Sequence, residues 1–205
     1  MPKLSQVSRP GPKPNPGTRQ TLIDAGVNVL HRAGYSASGV QEILAAAAVP
    51  KGSFYHHFDS KESFGVEVIN AQSERSLAKL RAILGDETLP PRDRLIADFL
   101  RRGRAHKQAG FLRGCLFGNL SLEVADHSDV MRKRLKGHFR QWRDLIEACI
   151  LAAQADGSIT NSAPARNLAE FTLSAWEGAL LRSRTEQSVE PLAVFHDIVF
   201  NRVLI

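Results

Sequence analysis

Apolar residues recur at helical spacing along most of the chain that follows residue 17. Between Thr18 and Gly34, the residues Leu22, Ile23 and Val29 recur with a period of about 3.6, which is typical of an amphipathic helix. Thr18 suits the N-cap of this helix, and Gly34 suits its C-terminal end. The pattern therefore predicts a first helix that begins near Thr18 and stops at Gly34.

A second, a third and a fourth helix are predicted between this point and residue 84. Ser38 can cap the second helix, with Glu42 near the position that a capping-box acid takes. Pro50 suits the first turn of the third helix. Ser60, followed by Glu62, can begin the fourth. The inner faces of these helices are predicted to consist of Val40, Ile43, Leu44, Phe54, Phe58, Phe64, Val68 and Ile69.

The second and third helices and the tight link between them predict a helix-turn-helix. The second helix of this motif enters the major groove of double-stranded DNA, and its N-terminal residues contact the bases. In the segment VPKGSFYHHFDSKE, Gly52 and Ser53 leave room for the backbone to approach DNA, and Lys51 offers positive charge. Tyr55 and His56 have the reach to contact DNA, while the phenylalanines anchor the helix from behind.

The stretch GYSASGVQEILAAAAVPKGSFYHHFDSKESF and the helix before it resemble the DNA-binding domain of TetR-family transcriptional regulators. The resemblance covers roughly residues 18–65. It implies that Lys51, Gly52, Ser53, Tyr55 and His56 face the operator and that Lys61 meets a phosphate. Ser38 and Gly39 are further predicted DNA contacts. Two positions depart from the family pattern, because Gly39 stands where Ser or Thr is common and Ala48 stands where the turn usually has Gly.

The two adjacent histidines raise the alternative of a metal site. Consecutive helical residues point about 100° apart, so His56 and His57 cannot easily chelate one ion. We therefore predict no metal site, with His57 as a partly buried spacer and His56 as a donor to a phosphate or a base edge.

Residues 66–205 predict about five more helices, without strand-like alternation, a sustained heptad or an internal repeat. Breaks are predicted near residues 85–91, 107–110, 125–129, 155–164 and 186–191. The expected fold class is thus all-α, with an N-terminal three-helix domain at 18–65 that contains the helix-turn-helix. The resemblance to TetR regulators implies that the helical domain at 66–205 dimerises and encloses a pocket for a small molecule.

Small residues at helical spacing in segment 164–185 predict a homodimer contact. Gly178 and its neighbouring alanines would let a partner helix come close, and the apolar segment 191–204 adds to the same surface. The alternative is that both segments complete the core of a monomer. Helix-turn-helix proteins commonly bind two half-sites as dimers, which favours the homodimer.

Polar side chains among aromatic ones predict where an effector binds. Asn119 and Glu123 are one turn apart and share a helix face. A small carboxylate effector would need a cation such as Arg113 near it. The alternative for each residue is an ordinary place in the core or an interface. The predicted effector contacts are Arg113, Asn119, Glu123, Trp142, Trp176 and Glu177.

The predicted effector site lies among four segments, and its occupation is expected to move the fourth helix, which joins the two domains. These segments are 95–108, 113–125, 130–152 and 165–182. Two motifs in them, GCLFGNLSLE and SAWEGALL, resemble a subgroup of TetR regulators that does not fix a ligand. The whole chain is also similar to the acrylate-responsive branch of the family, the repressors of bacterial dimethylsulfoniopropionate metabolism.

Excess positive charge is concentrated in the N-terminal part of the chain. The chain of 205 residues carries a net charge of +6, of which residues 1–61 hold +4. This imbalance favours an acidic partner for the N-terminal part. Residues 1–17 contain five prolines and three basic residues. They predict a flexible basic arm, which is either merely disordered or lies along the DNA.

The remaining features narrow the class of protein. No apolar run approaches the roughly 20 residues that span a bilayer. Cys115 and Cys149 form no CxxC pair, so two reduced thiols in a cytoplasmic protein are expected. No nucleophile elbow, P-loop, HExxH or dinucleotide fingerprint occurs, which predicts neither an enzyme nor a cofactor.

Two kinds of DNA-binding protein fit these features. The first is a ligand-responsive transcriptional regulator, most simply a repressor that leaves its operator when the effector binds. The second is an architectural DNA-binding protein without a ligand. A C-terminal cavity that holds polar groups would favour the regulator, whereas a filled C-terminal core would favour the architectural protein.

Overall fold

The computed structural model describes residues 17–205, and helices with short connections make up this part of the chain. No strand occurs within it, so the all-α prediction is confirmed. The predicted basic arm lies outside the described residues except for Gly17. The helices are α1 (Thr18–Ala33), α2 (Val40–Ala47), α3 (Phe54–His57), α4 (Lys61–Leu84), α5 (Pro91–Gln108), α6 (Leu116–Val124), α7 (Asp129–Ala155), α8 (Ala165–Glu186) and α9 (Glu190–Ile198). A 3-10 turn, Lys51–Ser53, precedes α3, and a π-helical turn, Val199–Val203, continues α9.

Local signals place the ends of α1 and α4. The first helix ends at Gly34, which adopts a φ of +86° that a side chain would disfavour. Its N-cap is Gly17, so Thr18 is the first helical residue and not the predicted cap. Ser60 caps α4 as predicted, and its hydroxyl accepts a hydrogen bond of 3.0 Å from the N–H of Ser63.

The buried apolar residues form two cores. The first core joins α1, α2 and α3 to the N-terminal half of α4, and it also contains Leu120 of α6 and Met131 of α7. The second core joins the C-terminal half of α4 to α5, α7, α8 and α9. Because α4 and α7 contribute to both cores, and α6 packs on the N-terminal helices, a shift in the C-terminal helices can reach the helix-turn-helix.

The helices α1 and α4 approach each other closely at Gly26. A Cβ built on Gly26 would lie 2.4 Å from the Phe64 ring and 2.8 Å from the Val68 side chain. Both neighbours are fully buried and cannot move aside. The lack of a side chain at this position therefore sets the distance between the first helix and the fourth.

We expect Gly26→Ala to lower the free energy of unfolding by about 2 kcal/mol, since overpacking costs more than the helix propensity of alanine returns. Gly137→Ala is the matched control, because a Cβ there, in the interior of α7, meets nothing within 4 Å. It should raise the unfolding free energy by about 0.5–1 kcal/mol. Urea denaturation of both variants measures the difference, and a neutral Gly26→Ala would contradict this account of α1–α4 packing.

In residues 17–205, no helix is both long enough and apolar enough to cross a membrane.

Candidate DNA-binding surface and effector pocket

The segment that precedes α4 has an aromatic inner face and a polar outer face. Phe54 and Phe58 are buried, and their ring centres lie 5.1 and 4.9 Å from that of Phe64 on α4. Tyr55, next to Phe54 in the chain, is 67% exposed. The aromatic cluster thus fixes a short helix whose other side faces solvent.

The five positions of this segment that are predicted to face DNA are accessible. Lys51, Gly52, Tyr55 and His56 are exposed, and Ser53 is half-buried. A Cβ added to Gly52 would meet no atom within 4 Å, so the front of the segment is open. This surface has the chemistry of a DNA-reading helix, with a cation, an imidazole and a phenol that can contact phosphates or base edges.

We call the 3-10 turn and α3 together, residues 51–57, the recognition segment. The turn between α2 and this segment contains Ala48. This residue has a φ of +52°, in the left-handed region, where a non-glycine residue costs about 1–2 kcal/mol. The N–H of Val49 donates to the carbonyl of Leu44 at 3.1 Å, which closes the end of α2. The departure from glycine at this position therefore adds local strain but leaves the turn intact.

Ser38 does not have the predicted role. Its side chain is buried, and its hydroxyl donates to the carbonyl of Gly34 at 2.5 Å. Gly39 is the N-cap of α2 and is exposed, while Glu42 forms an ion pair of 2.7 Å with Arg32. The predicted Ser38 cap and capping box were thus wrong. Because Ser38 is buried, we leave it out of the DNA-facing set, and Gly39 stays in it.

Lys61 and Glu123 both hold the loop between α1 and α2. The Lys61 ammonium donates to the carbonyl of Tyr35 at 2.6 Å and lies 4.4 Å from the centre of the Tyr35 ring. Burial lowers the pKa of Lys61, and the carboxylate of Glu123 acts in the opposite direction. Glu123 accepts a hydrogen bond of 2.8 Å from the N–H of Ser36.

These contacts bear on two predictions. The geometry of Lys61 gives no support to the predicted phosphate contact, because its ammonium already bonds the loop. Glu123 does not line the effector pocket; it bridges α6 to the DNA-binding helices instead. The one-turn spacing of Asn119 and Glu123 is real, but Glu123 is directed to the neighbouring domain.

A pocket of about 480 Å³ lies between α4, α5, α7, α8 and the start of α6. It contains three of the predicted effector residues, Arg113, Trp142 and Trp176. Both tryptophans are buried. The helices α6, α7 and α8 supply an apolar wall, whereas the lining residues of α4 and α5 are mostly polar or charged.

Five cations line this pocket: Arg75, Lys79, Arg101, Arg102 and Arg113. Two carboxylates outside the lining pair with three of them. Asp98, which is buried, lies 2.9 Å from Arg101 and 2.6 Å from Arg102, and Asp24 of α1 pairs with Arg75. The lining cations exceed these two partners by three charges, so the pocket has the electrostatics of an anion site.

Burial and the nearby cations lower the pKa values of two histidines around the pocket. Burial lowers the pKa of His31, the hydrogen bond with the Gly114 carbonyl acts in the opposite direction, and the charges of Arg113 and Arg184 lower the pKa further. Burial and then Arg102 lower the pKa of His138 to about 4. An anion in the pocket would offset the positive field that these rings experience.

Asn119 and Glu177 lie in a second pocket of about 220 Å³. Cys115 lines both pockets, as do Gly114 and Leu180. The side-chain oxygen of Asn119 accepts a hydrogen bond of 3.3 Å from Arg184. Burial raises the pKa of Glu177. The six predicted effector residues therefore divide into three in the main pocket, two in the adjoining one, and Glu123 in neither.

Both cysteines are free thiols. Burial, followed by the charge of Glu177, raises the pKa of Cys115. Burial raises the pKa of Cys149 to about 11, and its thiol lies 3.1 Å from the carbonyl of Pro91, to which it donates. Within residues 17–205, no group of three His, Cys, Asp or Glu side chains is arranged to hold a metal ion.

The sequence analysis identified only Arg113 among the five cations that line the pocket. On their own helices, Arg101 and Arg102 have the spacing of an ordinary solvated face. The signal that could have found them is Asp98, a carboxylate between apolar residues of α5. A buried acid needs cationic partners, which would have directed attention to this helix.

Comparison with known families matches two parts of the chain. Residues 22–68 match the description "Bacterial regulatory proteins, tetR family". Residues 91–199 match "Tetracyclin repressor-like, C-terminal domain". The two matches together include the recognition segment and four of the five helices that surround the pocket.

Individual relatives extend over nearly the full length. The chain is 40% identical over 186 residues to the transcriptional repressor DhaR of Mycobacterium sp. strain GP1, covering 91% of this chain and 92% of DhaR. It is 38% identical to the transcriptional regulator AcuR of Cereibacter sphaeroides, covering 95% and 90%. The crystal structure of Escherichia coli NemR in its reduced form superimposes with a TM-score of 0.85 at 32% identity, covering 90% of this chain and 95% of NemR.

Proposed function

Because the chain belongs to the TetR family of bacterial regulatory proteins, we propose that it is a repressor released from its operator by a small effector. The carrying observation is the recognition segment. Its aromatic side is fixed in the core, and its other side presents Lys51, Tyr55 and His56 to solvent. DNA binding through this surface follows from the family, and the individual contacts are our proposal.

The pocket favours a ligand-responsive regulator over an architectural protein. A C-terminal core that served only to hold the fold would be filled, yet a pocket of about 480 Å³ lies beside α4. Its cationic lining supports an acidic effector, such as a small carboxylate, near Arg113. Ligand binding can shift the repressor from DNA only if the two conformations bind the ligand with different affinities.

We further propose that α8 and α9 form the homodimer surface. TetR regulators are dimers, and this part of the chain exposes large apolar side chains. Phe171 and Leu181 on α8 are about half-exposed, as are Val194 and Ile198 on α9. A partner copy that covered them would join two recognition segments in one dimer, and helix-turn-helix dimers bind half-sites about one helical turn of DNA apart, or a multiple of it.

We expect Tyr55→Ala and Lys51→Ala to weaken binding to a palindromic operator about tenfold or more each, since one good base contact contributes about 1–3 kcal/mol. The operator is first selected from random duplexes with the wild-type protein, and affinities are then measured by fluorescence anisotropy. Lys133→Ala, which removes a cation from an exposed site on α7, should change operator affinity little. Thermal melting checks that all variants fold.

Two results would contradict the proposal. If Tyr55→Ala and Lys51→Ala both bind the operator as wild type does, the recognition surface lies elsewhere. If the wild-type protein selects no sequence from the random duplexes and binds all of them alike, the architectural alternative is correct.

A further inference from the structure

Arg75 belongs both to the pocket and to the contact between domains. It lies on α4 and lines the pocket, and its guanidinium pairs with Asp24 on α1. The hydrogen bond from Arg75 is the largest influence on the pKa of Asp24, and it lowers that pKa. One side chain therefore connects the place where an anion would bind to the first helix of the DNA-binding domain.

A second residue of the DNA-binding domain also reaches the pocket. His31 on α1 lines it, and its Nε2 lies 3.0 Å from the carbonyl of Gly114, which precedes α6. The carbonyl can only accept, so Nε2 carries the proton in this contact. The DNA-binding domain thus forms part of the pocket wall, and an occupant would touch it directly.

Three residues that line the pocket carry buried nitrogens without hydrogen-bond partners in the described part of the chain. The indole nitrogen of Trp142 and the Nε of Arg101 are buried and make no hydrogen bond, and both can only donate. His106, another lining residue, has an unpartnered buried Nε2. Buried polar groups are normally paired, so these nitrogens are candidate donors to the acceptor oxygens of a ligand.

We propose that the effector is an anion with an apolar body, and that its acid group takes Arg75 away from Asp24. The inference rests on the proposed function, because it assigns the chemistry and the signal of that same pocket. The apolar body would pack on Leu116, Phe117 and Leu180, opposite the cations of α4 and α5. Occupation then breaks one of the ionic contacts between α1 and α4.

The exchange of Asp24 for the acid group of the effector, as the partner of Arg75, is energetically accessible. The side chains of Arg75 and Asp24 are each nearly half-exposed, and such pairs contribute little to stability. An acid group inside the pocket is held at lower dielectric and by several cations, so it competes well for the same guanidinium. Once Asp24 is released, α1 has one restraint fewer against α4, and the recognition segments of the dimer can leave the spacing that fits the operator.

The ligand class is tested with compounds that share one aromatic ring and differ in charge. Benzamide, benzoate and phthalate share an aromatic body and carry zero, one and two negative charges. Calorimetry in the absence of DNA should show that affinity rises with each added charge. Arg113→Gln should reduce this dependence, whereas Lys133→Gln, outside the pocket, should not. Equal affinity for benzamide and benzoate, or no binding of either anion at millimolar concentration, would overturn the proposed ligand class.

The exchange itself is tested by Asp24→Asn against Glu67→Gln. Both replacements remove an ion pair between α1 and α4, but the Glu67–Arg19 pair lies outside the pocket lining. Asp24→Asn frees Arg75, so the concentration of phthalate that binds half of the protein should fall about two- to fivefold. The concentration that releases operator DNA should fall at least as much, while Glu67→Gln should leave phthalate binding unchanged.

The outcomes separate this inference from the proposed function. If Asp24→Asn binds phthalate no more tightly than wild type, or if Glu67→Gln gains as much, the exchange at Arg75 is wrong even though operator binding persists. If the wild-type protein fails to select an operator at all, the proposed function fails, and phthalate binding without DNA still reports on the ligand class.

Discussion

Gly178→Arg is expected to convert the protein to monomers and to lower operator affinity about 100-fold or more, because the second half-site contact is lost. Gly178 lies on the same face of α8 as Phe171 and Leu181, which are 49% and 52% exposed. A Cβ at this position meets no atom within 4 Å in the single chain, so the monomer can accept a long side chain. In the proposed dimer, the guanidinium would instead enter the space that a partner helix occupies.

Analytical ultracentrifugation at micromolar concentration measures the change, and anisotropy measures operator affinity. Gly137→Arg is the matched control, since its Cβ is equally free but lies on α7. This control should remain dimeric and bind DNA like the wild-type protein. A dimeric Gly178→Arg, or a wild type that is monomeric at this concentration, would show that α8 is not the interface.

The sequence predicted those features that depend on neighbouring residues in the chain. The ends of α1 and α4 follow from Gly34 and Ser60, whose backbone conformation and hydroxyl group act within one turn. The helix breaks after residue 84 were also found, since proline, glycine and polar clusters interrupt the apolar period there. The buried Phe54 and exposed Tyr55 follow from the same helical period.

The failures concern side chains with more than one available partner. Serine is a residue type that favours N-caps, but the loop brings the carbonyl of Gly34 within 2.5 Å of the Ser38 hydroxyl. The hydroxyl therefore donates to this carbonyl and does not cap α2. Glu123 was assigned to the effector site from its spacing to Asn119. Spacing defines a helix face but not the element that packs on it, and here that element is the loop of Ser36.

The cationic pocket shows the same limit. Arg75 and Arg102 are separated by a helix break in the chain, and only the packing of α4 against α5 and α7 brings them to one pocket. Charged residues on separate helices have no common periodicity that sequence reasoning could detect. The sequence-based prediction of an acidic effector near Arg113 therefore named only one of the five cations that line the pocket.

Acid should destabilise the folded protein between pH 6.5 and 4, and His138 should account for a large part of this loss. The ring is buried between α4, α6 and α7, with its Nδ1 2.8 Å from the hydroxyl of Ser73 and its face stacked on Phe117. Burial lowers the pKa of His138 from 6.5 to about 4. The unfolded chain then binds the proton more readily than the folded one.

The sign follows from this order of proton affinities. The contribution is fully present above pH 6.5, where the ring is neutral in both states. It is lost as the pH falls towards 4, because unfolding is then accompanied by proton uptake. A lowering of about 2.5 pKa units corresponds to about 3 kcal/mol of unfolding free energy. Burial also lowers the pKa values of His31, His106 and His196, which adds to the same trend.

Urea denaturation of wild type and His138→Phe at pH 7.5 and pH 4.5, at one protein concentration, isolates this contribution. The phenylalanine retains the ring and its contact with Phe117 but cannot take up a proton. The variant should lose about 2–3 kcal/mol less than wild type between the two pH values, whatever its stability at pH 7.5. His127→Phe, at an exposed position before α7, controls for the removal of a histidine as such. Equal acid losses in wild type and His138→Phe would mean that the ring of His138 is protonated as easily inside the folded protein as outside it.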